Sequence, residues 1–188
     1  GSEMCIRDSF TGSHTCYPEN DSLDYNNYIG LIVISTGSFK IKYNNNIFTG
    51  KQAIKIDHST PQIRLSNVDN QKSVLGVVSL VQDDTVLINS TGEGGIWVCN
   101  KSGNLENGDY ITTCGISGYG MKQNTNKLLN STVGKIRCNV DFNSTTDFET
   151  RFLLPDATQI TETEYNTKLA AGEQVYIACF VGCTYNCG

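Results

Sequence analysis

One stretch of the chain is apolar on both faces and predicts a buried strand, and a second stretch predicts the most apolar strand of the chain. They are YIGLIVIS at residues 28–35 and SVLGVVSLV at residues 73–81. Gly76 within the second stretch indicates a bulge or a close backbone approach, and we expect this strand to be central in its sheet. The sequence Thr36-Gly37-Ser38 predicts a turn, so the first stretch should form a hairpin with FKIKY at residues 39–43.

Shorter apolar runs follow, and each is bounded by residues that favour turns, chiefly Gly and Asn. They predict further strands at residues 53–56, 62–65, 85–90, 95–99, 109–113, 131–142 and 174–183. The Gly-rich residues 91–94 predict a turn between two of these strands, and Asn107-Gly108 predicts a tight hairpin turn. Spacings near the roughly 8–12 residues typical of barrels and sandwiches predict an all-β fold, a compact β-barrel or sandwich of short antiparallel strands.

One segment near the C-terminus predicts a helix. Thr161 and Glu164 have the spacing of a capping box, in which the hydroxyl accepts from a free backbone N–H and the carboxylate reaches back to the first residue. Tyr165 and Leu169 follow, and Gly172 is placed to end the helix. We therefore expect one short peripheral helix in this part of the fold.

The charge balance narrows the choice of partners. Fourteen basic and 19 acidic residues give a net charge of −5, and Lys and Arg form no cluster along the chain. A surface that follows nucleic-acid phosphates needs such a cluster, so no nucleic-acid partner is expected. No apolar run approaches the roughly 18 residues that a membrane-spanning helix needs, so we expect a soluble chain without a membrane partner.

The first nine residues, GSEMCIRDS, resemble the translation of a transposon-type sequencing adapter. The alternative is an expression-tag Gly-Ser followed by a natural start at Met4. We interpret residues 1–9 as an artefact that takes no part in the fold. Residues 10–188 are then expected to form a single β-rich C-terminal domain of a protein that extends further upstream.

Seven of the eight cysteines remain once Cys5 is set aside with the adapter, and an odd number argues against a closed disulfide framework. They are Cys16, Cys99, Cys114, Cys138, Cys179, Cys183 and Cys187. Buried or free thiols are the favoured interpretation. The alternatives are a disulfide and a zinc site in which Cys183 and Cys187 join Cys138 or His14. No cofactor and no resident metal are expected.

The residues for a thiol activated by an adjacent histidine are present at His14 and Cys16, which can share one face of a strand. No third group that would orient the histidine is apparent in the sequence, and a solvated histidine is the simpler interpretation. An independent enzyme is therefore not the favoured class.

The block from residue 88 to residue 135 carries the most specific pattern in the chain. Its segments are Gly92-Glu93-Gly94-Gly95, Gly108-Asp109, Ser117-Gly118-Tyr119-Gly120 and Val133-Gly134-Lys135. Together they resemble the self-cleaving intramolecular chaperone domains of peptidase G2 type, which stand at the C-termini of viral tail-spike and fibre proteins. More loosely, residues 10–14 and 180–188 look like the ends of fibre-type proteins of large DNA viruses.

The resemblance implies a C-terminal trimerisation and intramolecular chaperone domain of a viral fibre-like protein. Its partners would be further copies of itself, as a homotrimer, and the upstream fibre segment of its own chain. Its location would be the virion or the cytoplasm of the infected host. At most it would be a peptidase that cuts its own chain in cis. The alternative is a structural or receptor-facing tip domain that stays attached and cuts nothing.

Cleavage by an assembly domain is useful at its N-terminal edge, where it releases the fibre. His14 lies at that edge, and Glu93 and Asp109 stand in Gly-flanked segments of the resembling block, where burial would raise the pKa of a carboxyl group. These three residues are therefore the candidate catalytic set. The alternative is that Glu93 and Asp109 cap turns and that His14 is solvated.

Overall fold

A computed structural model describes residues 12–43, 46–50 and 59–187 of the chain. Its strands, β1 to β12, are Gly12–Pro18, Ile32–Tyr43, Asn46–Gly50, Ser59–Leu65, Val74–Gln82, Thr85–Cys99, Tyr110–Thr113, Gly120–Lys122, Thr132–Ile136, Thr150–Leu153, Gln159–Ile160 and Tyr176–Asn186. Helix α1 is Glu162–Ala170. The predicted all-β class with one helix near the C-terminus is confirmed. The adapter segment and the strand predicted at residues 53–56 lie outside the described residues.

Pairing between the strands closes two rings of five strands that share β6. The first ring runs β1-β4-β2-β5-β6 and returns to β1. The second ring runs β6-β8-β7-β9-β12 and returns to β6. Strand β6 serves both because its 15 residues are long enough to pair with β1 and β5 near its start and with β12 near its end.

Two pairings depart from the antiparallel arrangement that was predicted. β1 lies parallel to β4, and β6 lies parallel to β8. The remaining strands extend the rings at their margins, with β3 beside β2, β10 beside β12 and β11 beside β10. The sheet is therefore mixed, although most of its ladders are antiparallel.

The hairpin predicted at Thr36-Gly37-Ser38 is wrong, because β2 continues through these residues for 12 residues. Gly37 has a positive φ of 86°, and the register of β2 against β4 shifts between Ser35 and Phe39. The segment is thus a bulge. It absorbs extra residues without reversing the chain, which local turn preferences alone do not distinguish from a hairpin.

The turn predicted at residues 91–94 is also wrong, because these residues lie inside β6. The glycines face aromatic side chains of β12: a Cβ at Gly94 would overlap the ring of Tyr185, and one at Gly95 would overlap the ring of Phe180. Glycine is therefore needed at these strand positions because any side chain would overlap the aromatic rings of β12.

Strand β5 lies between β2 and β6, so its predicted central position is confirmed. The register of β2 against β5 shifts opposite Gly76, and a Cβ at Gly76 would overlap the backbone carbonyl of Asn89. Both the bulge and the close approach expected of this glycine are present.

The turn at Asn107-Gly108 is present, with Gly108 at a φ of 97° and the N–H of Asp109 donating to the carbonyl of Glu106 at 2.9 Å. The hairpin is not. Among the described residues β7 pairs with β8 and β9, whereas β6 pairs elsewhere. The chain leaves β6 through the 3₁₀ turn Asn100–Ser102, and β7 is separated from β6 by β8.

Helix α1 begins at the capping box that was predicted. The N–H of Glu164 donates to the hydroxyl of Thr161 at 3.1 Å, and the N–H of Thr161 donates to the Glu164 carboxylate at 3.3 Å. Tyr165 is the buried residue of the helix and packs on the ring of Phe152. In the described ranges, no helix is both long enough and apolar enough to cross a lipid bilayer.

Candidate functional site

The four segments of the resembling block lie in the second ring. Residues 92–95 belong to β6, Asp109 precedes β7, Gly120 begins β8 and Gly134 lies in β9. A Cβ at Gly134 would overlap the backbone carbonyl of Thr184 on β12, and one at Gly120 would lie 2.7 Å from Ile111 on β7. These glycines let neighbouring strands of the second ring approach closely, so the glycine positions of the pattern serve the packing of this ring.

Glu93 lies on the surface of this ring, opposite Thr184 of β12. Its side chain is 74% exposed, and Nη1 of Arg137 donates to its Oε1 at 2.8 Å. Glu93 and Arg137 line a shallow groove of about 440 Å³, whose floor is made by Gly94, Gly182 and Cys183. We call it the Glu93 groove. The partial burial expected of this carboxylate is absent.

Asp109 is more enclosed than Glu93, but its bonds are local. Its Oδ2 accepts the backbone N–H of Glu106 at 2.7 Å and lies 3.7 Å from Nζ of Lys122. The carboxylate thus closes the turn at residues 106–109 and pairs with a lysine of β8. This geometry is that of a turn cap.

His14 is exposed on β1, opposite Ile88 of β6. Glu93 stands five residues further along β6, roughly 16 Å at the usual strand rise. Glu93 and Asp109 stand on different sides of the second ring, where β9 and β12 separate β6 from β7 in one direction and β8 separates them in the other, and the two acids pair with different cations, Arg137 and Lys122. The structure does not bring the three candidate catalytic residues together.

The start of β1 and the end of β12 meet at one place on β6. Gly12 and Asn186 are both register partners of Thr91, and the N–H of Cys187 donates to the carbonyl of Ser90 at 2.8 Å. Gly12 therefore lies beside the end of β12, two residues along β6 from Glu93.

The seven cysteines in the described part of the chain are free thiols. Burial raises the pKa of Cys16 to about 12, and its Sγ contacts the backbone carbonyl of His14. A thiol of this kind is not activated by the histidine, so the pair lacks the geometry of a nucleophile and base. Within the ranges described above, no three His, Cys, Asp or Glu residues are grouped so that they could hold a metal ion.

Cys99 and Cys114 form a buried pair that the sequence did not indicate, with their sulfur atoms 3.7 Å apart. The hydrogen bond from Cys99 lowers the pKa of Cys114, whereas the same contact and burial raise the pKa of Cys99. Both side chains lie in the apolar cluster around Trp97 and Tyr119. The pair is a thiol–thiol hydrogen bond in the core.

A second cleft, of about 310 Å³, lies beside this cluster and was also missed by the sequence analysis. Arg151 of β10 lies over the ring of Trp97, with Cζ 3.9 Å from the ring centroid, and its Nη1 donates to the Tyr119 hydroxyl at 3.1 Å. We call this the Arg151 cleft. Tyr119 and Arg151 line the cleft, and Trp97 lies beneath Arg151 in the core. The three residues come from the loop before β8, from β10 and from β6, so no local motif could have indicated them.

Comparison with protein-family models, with curated proteins and with solved structures gave no match for this chain.

Proposed function

We propose that this chain is a C-terminal trimerisation and folding domain of a viral fibre-like protein. The observation that carries the proposal is the position of the resembling block: all four of its segments contribute to the second ring. A pattern scattered over the chain would have no common structural role. Here its glycines at 94, 95, 120 and 134 share one role, because each allows side-chain or backbone atoms of a neighbouring strand to approach closely.

A fibre made of three identical parallel chains has many pairing registers of similar energy. A compact domain that folds and associates first fixes the register of the chain ahead of it and reduces the entropy cost of bringing the strands together. The entry of the upstream chain beside Thr91, at the junction of the two rings, suits a domain that holds a fibre at its end.

Strand β3 offers a means of self-association. In the described part of the chain it pairs with β2 alone, and Ile47 on it is 61% exposed. An edge strand with an exposed β-branched apolar side chain is a template for pairing with another copy, and proteins usually protect such edges with charge. We assign β3 to the contact between subunits.

Light scattering on the 188-residue chain at about 50 µM tests the assembly. We expect a mass three times the 20.6 kDa of the single chain. Ile47→Lys should shift the mass towards the monomer, because it places a charge at the edge of β3. Leu169→Lys on α1 changes a residue of similar exposure, 53%, and should leave the mass unchanged. A monomeric wild-type chain would contradict the proposal.

The second candidate is a tip domain that remains attached and cuts nothing. The separation of His14, Glu93 and Asp109, and the ion pairs of the two acids, favour it over self-cleavage. The test is a chain extended by about thirty of its native upstream residues, as wild type, Glu93→Gln and Asp109→Asn, followed by mass spectrometry over time. We expect all three chains to stay intact. Cleavage of the wild type alone, near residue 10, would restore the catalytic assignment.

A further inference from the structure

Arg151 stands out among the arginines of the described chain because it has no carboxylate partner there. Arg64 lies 3.8 Å from Glu19, and Arg137 lies 2.8 Å from Glu93. Arg151, by contrast, is half-buried and forms no ion pair with a described residue. A guanidinium that is partly removed from water without an opposite charge is unfavourable, so the position favours the binding of an anion.

The guanidinium is also held in place before any ligand arrives. Trp97 below it and Tyr119 beside it are each 2% exposed, so the guanidinium contacts two side chains that are fixed in the core. Of the five N–H donors of an arginine, one is used by the Tyr119 hydroxyl, and no other hydrogen bond joins this guanidinium to the described residues. Donors that are fixed and unused bind a ligand with little loss of side-chain entropy.

The charge in the Arg151 cleft suits a ligand with a single negative charge. Asp156 is the acidic residue among those that line the cleft. Its Oδ1 accepts the N–H of Thr158 at 3.0 Å and so closes its own turn. Arg151 and Asp156 together leave the cleft neutral, so a carboxylate adds one negative charge and a phosphate dianion adds two, which makes the carboxylate the more favourable of the two anions. A carboxylate matches the planar fork of the guanidinium and carries one charge.

The rest of the lining is neutral and offers hydroxyl, amide and aromatic groups, including Asn27, Ser117, Gln159 and the ring of Tyr28. Such groups bind hydroxyls and one apolar face of a ligand. The volume of about 310 Å³ lies at the small end of the range for small-molecule pockets. The combination of one carboxylate site and several sites for hydroxyls is complementary to an acidic sugar.

We propose that the Arg151 cleft binds a small acidic sugar through its carboxylate, a monosaccharide uronic acid being the simplest ligand of this class. Arg151 receives the carboxylate, Tyr119 and Trp97 orient Arg151, and the amide and hydroxyl side chains bind the sugar hydroxyls. The inference goes beyond the proposed function and holds whether or not the chain forms a trimer.

Trp97 is the single tryptophan of the chain, so its fluorescence reports directly on the group stacked over it. The experiment titrates the 188-residue chain with glucuronate, with glucose and with glucose 6-phosphate, three ligands that differ only at one carbon. We expect saturable change in the Trp97 emission with glucuronate, at a dissociation constant of about 1 mM, and at least about tenfold weaker binding of the other two.

Arg151→Gln removes the charge and should weaken glucuronate binding at least about tenfold. Arg137→Gln in the Glu93 groove is the matched control and should not change it. Should Arg151→Gln fail to fold, Arg151→Lys keeps the charge but loses the planar fork, and should still weaken binding about fivefold. Equal binding of glucose, tighter binding of glucose 6-phosphate, or no response to glucuronate would each overturn the proposal.

Discussion

Ser66 is fully buried between β4 and the loop that follows it. Its backbone is satisfied, because its N–H donates to the carbonyl of Ile32 and its carbonyl accepts the N–H of Gly118. Its hydroxyl is the one buried side-chain polar atom of the described residues without a hydrogen-bond partner. Burying an unpaired hydroxyl costs free energy, so this residue marks a weak point in the core.

We predict that Ser66→Ala raises the free energy of unfolding by about 1 kcal/mol, because it removes an unpaired polar atom. Ser90→Ala is the control: Ser90 is equally enclosed, but its hydroxyl donates to the carbonyl of Leu75 at 2.6 Å. Its loss should lower the free energy of unfolding by about 1 kcal/mol, since it leaves that contact unmade. Urea unfolding of both variants checks this, and a loss of stability in Ser66→Ala would contradict it.

At the scale of elements, β12 is the strand on which the second ring depends. It pairs with β6 from Thr91 to Cys99, with β9 near its end and with β10 near its start. The glycines of β6 and β9 that face it leave no space for a side chain. The packing of this ring is therefore set by glycine positions as much as by apolar residues.

We predict that Gly134→Ala lowers the free energy of unfolding by about 3 kcal/mol or more, because its Cβ would overlap the backbone of Thr184, which cannot move without opening the pairing of β9 and β12. Gly182→Ala is the matched control on β12, since no atom lies within 4 Å of a Cβ built there.

The control should change stability by no more than about 0.5 kcal/mol. Thermal unfolding of the two variants beside the wild type makes the comparison. Equal losses in both would show that the strand tolerates no side chain at all, and equal stabilities would show that β9 and β12 are less tightly paired than the structure indicates.

At the scale of the whole molecule, the buried thiols make stability depend on pH. Burial raises the pKa of Cys16, Cys183 and Cys187 to about 12 and that of Cys179 to about 11, from an ordinary value of 9.0. In the unfolded chain these thiols ionise near pH 9, whereas in the folded chain they stay protonated. Unfolding then releases protons, so the stability these thiols contribute is complete below pH 9 and is lost as the pH rises towards 12.

We predict that the free energy of unfolding falls between pH 9 and pH 11, with each buried thiol contributing up to about 1.4 kcal/mol per pH unit. Cys183→Ala should make this fall less steep, because it removes one of the titrating groups. Cys138→Ala is the comparison and should make the fall less steep by a smaller amount, since Cys138 is only partly buried, although burial raises its pKa as well. Urea unfolding at several pH values gives the slopes, and identical slopes for Cys183→Ala and the wild type would contradict the account.

The elements that could be predicted from sequence were those set by neighbouring residues. The capping box of Thr161 and Glu164 depends on atoms three residues apart, and the apolar, β-branched stretch at residues 73–81 predicted the strand β5. The all-β class and the turn at Asn107-Gly108 belong to the same group. In each case the interactions that decide the structure lie within one turn or one strand, so the local sequence contains them.

Tertiary structure alone decided which glycines make turns and which lie within strands. Gly94 looks like a turn residue in the sequence, and it is a strand residue because Tyr185, some ninety residues away, occupies the space above it. The Arg151 cleft arises in the same way, since Trp97, Tyr119 and Arg151 meet only when β6, β8 and β10 are assembled. Steric contact and charge pairing between distant segments act through space, and a local pattern records neither of them.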